Sequence, residues 1–334
     1  MRQDKLLIVH HSADLDGRFS GMLARKVFEK YIINNSAKIV GYNYGVDEKI
    51  DTWLGTDGEK FDKYLFIDVT PPLDWLKRYE TEIIEESLFV TICDHHETKY
   101  KEIFEISLTT EIPYYYADNL CGAKLFYLHY RAIVEKLMFE QSDVNLYQIK
   151  NLEEIIKYVS LYDTWQFTEK DETTMSITLA IKEYFDMFSD IGSLENAFDN
   201  IKSISSIIGI GNLLVEKSKN TVEIEVAKGE FLDSSEFINV WPKLKAVFPT
   251  NENIYLFPGY PNYYSGELLK RYDYYIGYSI NLKDQIVDFS IRSRNGGNAA
   301  NFAKVLNKDG GGHKQAAGCE ISIGNFIKLL KHLE

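Results

Sequence analysis

Four short runs, apolar at nearly every position, constrain the amino-terminal half of this chain: KLLIVH (5–10), AKIVGYNY (37–44), KYLFIDV (63–69) and SLFVTICD (87–94). Strands of that kind have both faces covered, as in a parallel sheet sandwiched between helices. Between the first two lies GRFSGMLARKVFEKY, where Phe19, Met22, Leu23, Val27 and Tyr31 fall near one helical face. Pro71 and Pro72 suit the start of the next helix, PLDWLKRYE. This rhythm predicts an α/β fold with a doubly wound, mainly parallel sheet. From about residue 122 the pattern turns helical, through CGAKLFYLHYRAIVEKLMF and NLEEIIKYVSLYDTW. Aromatic-rich strand patterns follow after about 230, then a helix, a glycine-rich loop (DGGGHKQAAG) and a terminal helix. The expected division is a first domain over 1–190, a helical connector over 191–229, and a smaller mixed α/β domain over 230–334.

A chain of 334 residues with 45% hydrophobic and 26% charged residues describes an ordinary globular protein of two domains. The formal charge of −13, from 37 basic and 50 acidic residues, argues against sequence-independent binding of long duplexes, which needs extended basic surface. A small phosphorylated substrate at a metal centre stays compatible with that charge. Cys93, Cys121 and Cys319 are too scattered for a disulfide framework or a thiolate metal site, and a reducing cytoplasm is the simple expectation. No segment reads as a signal peptide or a membrane span. A homodimer is compatible with all of this.

The ends of the runs carry the chemistry. Ligands of open parallel sheets sit beyond the carboxyl ends of the strands, near the point where strand order reverses. The first run ends in HHSADLDG, with His10, Asp14 and Asp16; the third contains Asp68; the fourth ends in Asp94, His95 and His96. An ionised Asp68 within an apolar strand is costly unless paired or metal-bound. Leu152, Ile155, Ile156 and Val159 form an apolar helical stripe whose next step lands on Asp163. Singly, each of these carboxylates reads as a cap or a hydrogen-bonded side chain. Gathered at one sheet edge they would repel strongly, and divalent cations are the natural remedy. Histidine and aspartate without cysteine favour Mn²⁺, with Mg²⁺, Co²⁺ or Fe²⁺ as alternatives. The carboxylates suffice for two ions about 3.5–4 Å apart, bridged by Asp68, an arrangement suited to in-line phosphoryl displacement by water.

HHSADLDG, FIDV, CDHH and LYDTW, in that order, resemble the motifs of the DHH phosphoesterase family. FSIRSR followed by DGGGHKQAAG resembles the DHHA1 domain that accompanies them in the nanoRNase and pAp-phosphatase branch. The resemblance implies two metal sites, one held by His10, Asp14 and Asp68 and the other by Asp16, Asp68, His95 and Asp163. It further implies that His96 contacts phosphate, that Asp94 orients the neighbouring histidines, and that Arg292 and His313 grip the substrate in a cleft between the domains. Ser290 shares a predicted strand face with Arg292, and Gly310, Gly311 and Gly312 allow close backbone approach as an anion nest. The implied activity is metal-dependent hydrolysis of short oligonucleotides, dinucleotides or pAp. Cyclic-dinucleotide phosphodiesterase, inorganic pyrophosphatase and a non-catalytic nucleotide-binding regulator are the rival readings.

Two positions depart from the family pattern. Asp309 stands where relatives often have the first of four glycines, and Gly17-Arg18 follows the DxD segment where relatives commonly place a small or aliphatic residue. Arg18 near a helix start is electrostatically unfavourable, which gives weight to contact with an anionic ligand against a merely solvated role. Among the aromatics Tyr255, Phe257, Tyr260, Tyr263, Tyr264, Tyr272, Tyr274, Tyr275 and Tyr278, one or two are expected to line a cleft and stack on bases, and the rest to be core.

Overall fold

The computed structural model describes residues 5–43, 61–85, 87–140, 146–201, 203–226, 230–248, 251–259, 271–294, 296–308 and 310–331. Asp309, Tyr260, Tyr263 and Tyr264 lie outside the described residues. The chain divides into two units, Met1–Leu214 and Val215–Glu334.

In the first unit, β1 (Leu6–His11), β2 (Ala37–Tyr42), β3 (Lys63–Ile67), β4 (Phe89–Cys93) and β5 (Tyr114–Tyr115) form one sheet in the order β2-β1-β3-β4-β5. Every pairing in it is parallel. The unit's described helices are α1 (Leu15–Ile33), α2 (Leu73–Arg78), α3 (Glu80–Ile84), α4 (Glu97–Thr110), α5 (Gly122–Glu140), α6 (Leu146–Asp163), α7 (Glu172–Asp186) and α8 (Ile191–Asp199), and α9 (Ile204–Val226) begins in this unit and runs past its last residue, Leu214. Alternation along the strands sends side chains to two cores. Ile8, Leu65 and Ile67 meet Phe19 and Met22 of α1, Phe126 of α5 and Ile155 of α6. Leu7, Val9, Phe66 and Ile92 meet Trp75 and Leu76 of α2 and Ile103 of α4 on the other face. Each such side chain, fully buried, contributes about 1.5–3 kcal/mol. The near-continuous apolar runs are thus explained by a sheet covered on both sides.

The segment 191–229, read from the sequence as a connector, is divided by its packing. Leu194 and Phe198 of α8 and Ile204 and Ile207 of α9 belong to the core that α1 covers. The polar stretch around Asp186–Asp190 is therefore a turn within the first unit, and α8 is one of its own helices.

The second unit contains β6 (Glu230–Asp233), α10 (Ser234–Val240), β7 (Asn253–Pro258), β8 (Tyr274–Asn281), β9 (Ile286–Ser293), α11 (Ala299–Leu306), β10 (Gly311–Gly312), β11 (Ala316–Ser322) and α12 (Ile323–Leu330). Its sheet runs β10-β11-β9-β8-β7-β6 and is mixed, with β7 and β8 parallel and the remaining pairs antiparallel. Phe237, Trp241, Phe302 and Phe326 pack over Ile276, Phe289 and Ile291 on one face. Tyr274 joins that core, whereas Tyr255, Phe257 and Tyr275 form a separate buried cluster. No described helix is long and apolar enough to cross a membrane.

Candidate metal centre

The chain leaves β1 through α1 to β2 on one side, then returns to β3 on the other side of β1. The strand order therefore reverses between β1 and β3, where an open α/β sheet forms its crevice. His11 ends β1, Asp14 and Asp16 open α1, and Asp68 follows β3 directly. Asp14 caps α1, its Oδ1 accepting from the Gly17 amide at 2.9 Å. Asp68 is not inside the strand, as the sequence pattern suggested, but at a corner with φ 58°. That left-handed conformation is uncommon for a non-glycine residue and is held here by the amide of Asp68 donating to the Cys93 carbonyl at 2.8 Å.

Two sets of donors converge on this corner. Nδ1 of His11 lies 2.9 Å from Asp14 Oδ2 and 3.6 Å from Asp68 Oδ2. Nε2 of His95 lies 3.1 Å from Asp68 Oδ1, 3.2 Å from Asp163 Oδ2 and 3.8 Å from Asp16 Oδ2. Asp68 thus offers one oxygen to each set. Within the His11–Asp14–Asp68 group, and within the Asp16–His95–Asp163 group, the ligand atoms lie within 4.8 Å of one another. Asp68 Oδ2 and Asp163 Oδ2 are buried and accept no hydrogen bond from the described residues. A buried carboxylate oxygen without a donor is expensive, and a divalent cation would satisfy both. On the chemistry of the donors, His11, Asp14, Asp16, Asp68, His95 and Asp163 fit a pair of oxygen-preferring divalent ions.

The electrostatics of Asp16, Asp68, Asp163 and His95 agree with that fit, whereas, against the cost of burial, Asp14 and Asp68 hold the His11 imidazole well above its ordinary range, so that an ion there has a proton to displace. Burial first, and neighbouring carboxylates second, push Asp16 and Asp163 well above the usual carboxylate range, and Asp68 upward as well. Burial and the adjacent His96 lower His95 to about 4, leaving a neutral imidazole of the form that binds metal. Against the cost of burial, Asp94 raises His96 to about 9.

His96 caps the start of α4, and its Nδ1 donates to Asp94 Oδ1 at 2.7 Å. The same oxygen accepts the His95 amide at 2.8 Å. Asp94 Oδ2 accepts from the Thr70 hydroxyl, whose oxygen lies 3.1 Å from the Tyr114 hydroxyl. Asp94 is thereby occupied on both oxygens, holding the partly exposed His96 ring through Nδ1 and His95 through its backbone amide.

The structure brings His11, not His10, to Asp14 and Asp68. Alternation along β1 puts His10 on the face of Leu6 and Ile8, under α1. There its Nδ1 lies 2.7 Å from the His11 carbonyl oxygen and 2.9 Å from that of Gly17. Its ring packs against Gly21, where a Cβ would come within 2.9 Å of it. His11→Ala is expected to weaken Mn²⁺ binding by at least about tenfold, whereas His10→Ala should lower stability by more than it lowers metal affinity. Calorimetric Mn²⁺ titration beside thermal melts of both variants separates the two effects.

Arg18 also has a different employment from the expected ligand contact. Its Nε donates to the Asp14 carbonyl at 3.0 Å, Nη1 to the Phe188 carbonyl at 2.8 Å and Nη2 to Asp186 Oδ1 at 2.7 Å. It ties the first turn of α1 to the end of α7, with partners too distant in sequence for spacing to reveal.

Two glycines that sequence reasoning did not single out for the site shape it. A Cβ on Gly122 would stand 2.4 Å from Asp68 Cβ, and one on Gly17 would stand 2.1 Å from the His11 carbonyl oxygen. Gly122 lets the start of α5 abut the Asp68 corner, and there the Gly122 and Ala123 amides donate to Asp16 at 2.6 and 2.9 Å. A carboxylate facing a helix N-terminus is favoured by the dipole as well as by the hydrogen bonds.

In the second unit, Ser290 and Arg292 do share one face of β9, and Arg292 Nη1 donates to Ser290 Oγ at 3.1 Å. The glycine segment is an edge strand and hairpin instead of an open nest. Gly311 and Gly312 pair with β11, the Gly310 amide donates to Asn307, and the His313 amide donates to Ala316. Gly312 has φ 137°, and Gly310 lies against Ala303 and Cys319 where a Cβ would clash.

No protein-family profile matches the sequence, and no curated protein does. Among solved structures, the chain is similar to a pGpG-specific phosphodiesterase, PggH from Vibrio cholerae, at 12% identity and TM-score 0.38, covering 99% of this chain and 97% of that one. It is similar to RecJ in complex with Mn²⁺ from Thermus thermophilus at 15% identity and TM-score 0.48. That match covers 99% of this chain but spans only 52% of the RecJ chain. A further likeness is to exonuclease RecJ bound to manganese, at 16% identity and TM-score 0.47, covering 100% of this chain and 90% of the other.

Proposed function

We propose that this chain is a phosphoesterase of the DHH/DHHA1 kind that hydrolyses short oligonucleotides, dinucleotides or pAp with the help of two divalent metal ions, Mn²⁺ foremost. The observation that carries the reading is the convergence of six histidine and aspartate side chains at the strand-order reversal, with two buried carboxylate oxygens that have no hydrogen-bond donor among the described residues. Bound there, a divalent pair supplies Lewis-acid stabilisation of a phosphoryl group and a water nucleophile near neutral pH. His11 and Asp14 would hold one side, Asp16, His95 and Asp163 the other, and Asp68 both. His96, kept protonated by Asp94, offers an N–H to a nonbridging oxygen or a proton to the leaving oxygen.

Arg292, with Ser290 beside it, and His313 are assigned to a phosphate of the substrate, because a guanidinium fork matches phosphate bidentately. The net charge of −13 supports small ligands over long polymers. The test is a Mn²⁺-supplemented panel of RNA and DNA dinucleotides, longer oligomers, pAp, cyclic dinucleotides and pyrophosphate. Short linear substrates should turn over fastest. His313→Ala should raise KM for them by about 10–100-fold, the loss of one charge-assisted contact, while bound metal stays unchanged. Pyrophosphate turnover exceeding that of every nucleotide would reverse the assignment. Tight nucleotide binding with the ligand recovered intact would make the protein a regulator.

A further inference from the structure

We propose that Tyr116, backed by Tyr100, is a stacking platform for a nucleobase of the substrate. For its substrate class this inference rests on the phosphoesterase reading above. Tyr100 lies in the first turn of α4, its amide donating to the His96 carbonyl at 2.9 Å. Tyr116 leaves the end of β5, two residues after Tyr114, whose hydroxyl reaches Thr70 and through it Asp94. Both tyrosines are thus anchored to the residues that orient His96. Their rings are parallel within 6°, with centroids 4.1 Å apart. Phe104 and Tyr114 brace Tyr100 edge-on at 5.3 and 5.2 Å.

A pair of this kind serving only as core would be buried, yet Tyr100 and Tyr116 both stay partly exposed. Among the described residues, the ring contacts of Tyr116 are with Tyr100 and Tyr114 alone, the latter edge-on at 6.4 Å. Its second face therefore has no aromatic partner. Braced rings of fixed tilt are what a planar ligand needs, since the protein then orders nothing on binding. Burial, and then the charges of Asp118 and Glu97, hold the Tyr116 hydroxyl up at about 12, and Glu97 is itself paired with Lys101 at 2.5 Å. The Asp118 carboxylate near the ring disfavours a phosphate there and tolerates an uncharged base. The platform is therefore suited to the base of a nucleotide whose phosphate lies toward His96. The tyrosine cluster of the second unit is a weaker candidate, because Tyr255 and Tyr275 expose only 5% and 3% of their surface.

The test is calorimetric binding of AMP and of ribose 5-phosphate to the full chain saturated with Mn²⁺. AMP should bind about tenfold more tightly than the baseless probe, the lower-middle range of base–aromatic stacking. Tyr116→Ala and Tyr116→Leu should erase that difference while leaving ribose 5-phosphate affinity unchanged, and Tyr116→Phe should preserve it. The leucine variant retains bulk, so a loss shared by both is not one of packing. Equal affinity for the two probes in the wild type, no detectable nucleotide binding, or an undiminished gap in Tyr116→Leu overturns the proposal. The phosphoesterase reading fails separately, by absence of turnover, whatever the binding result.

Discussion

Asp68→Asn is expected to reduce Mn²⁺-dependent hydrolysis by on the order of 10³-fold or more, and at the same time to raise the melting temperature of the metal-free protein at pH 7.5. The first effect follows from the place of Asp68 between the two donor sets, 3.1 Å from His95 and 3.6 Å from His11. Removing its charge compromises both sides, and several kcal/mol of transition-state stabilisation corresponds to that factor. The second effect has the opposite sign because, without metal, burial and then Asp14 push the Asp68 carboxyl above its ordinary range. A group whose folded pKa is raised favours the native state only below its unfolded pKa, and that favour is lost as pH rises through the folded value. At pH 7.5 ionised Asp68 is therefore a burden on the metal-free fold, and Asn removes it. Asn also tolerates the left-handed backbone at φ 58°, whereas Asp68→Ala should be about 1 kcal/mol less stable than Asp68→Asn. Melts in EDTA beside steady-state kinetics in Mn²⁺ check both halves. Full activity in Asp68→Asn would remove the dimetal proposal, and an unchanged metal-free melting temperature would remove the electrostatic account.

Much of the architecture that makes this site was legible in the residues themselves. The apolar runs ending in ionisable groups located four of the five strands of the first sheet and the edge on which their side chains gather. The fifth strand is two residues of Tyr-Tyr, too short for any periodicity to announce. His10 and His11 show a signal that was present and passed over: strict alternation puts position 10 with Ile8 under α1, which frees only position 11 for the strand end. The partners of Arg18 and the contact of Gly122 with Asp68 had no local signal, since they depend on helices placed by the whole core. Thr70 and Tyr114, which hold Asp94, are invisible for the same reason. The end of the first unit was misplaced because polarity around Asp186–Asp190 resembles a linker, whereas burial of Leu194 and Phe198 shows a turn between packed helices.

Saturating Mn²⁺ is expected to raise the melting temperature of the first unit by on the order of 10 °C at pH 8, by far less at pH 5, and EDTA should reverse the gain. At a hundredfold excess over Kd each bound ion contributes about 2.7 kcal/mol, and two ions in a domain of this size correspond to a shift of that order. The pH dependence follows from what competes with the ions. Asp16, Asp68 and Asp163 have folded pKa values above their unfolded ones, through burial and mutual repulsion. They therefore favour the native state below about pH 4, near the unfolded carboxylate value, and that contribution disappears as pH rises through their raised folded values. Metal binding must displace these protons at low pH and meets ready anions at high pH, so its stabilisation grows over the interval. His95 acts in the opposite sense in the metal-free protein. Its pKa, lowered to about 4, makes the native state lose stability as pH falls from about 6.5 toward that value. His96, raised to about 9, contributes below about pH 6.5 and fades as pH climbs through 9. Subtracting the metal-free melts at each pH cancels the other histidines and carboxylates and leaves the ion-linked part. A Mn²⁺ shift that is flat from pH 5 to 8 would mean that the ions do not bind at these carboxylates. A shift that rises with pH in wild type and is much reduced in Asp68→Asn would tie the stabilisation to the corner between β1 and β3.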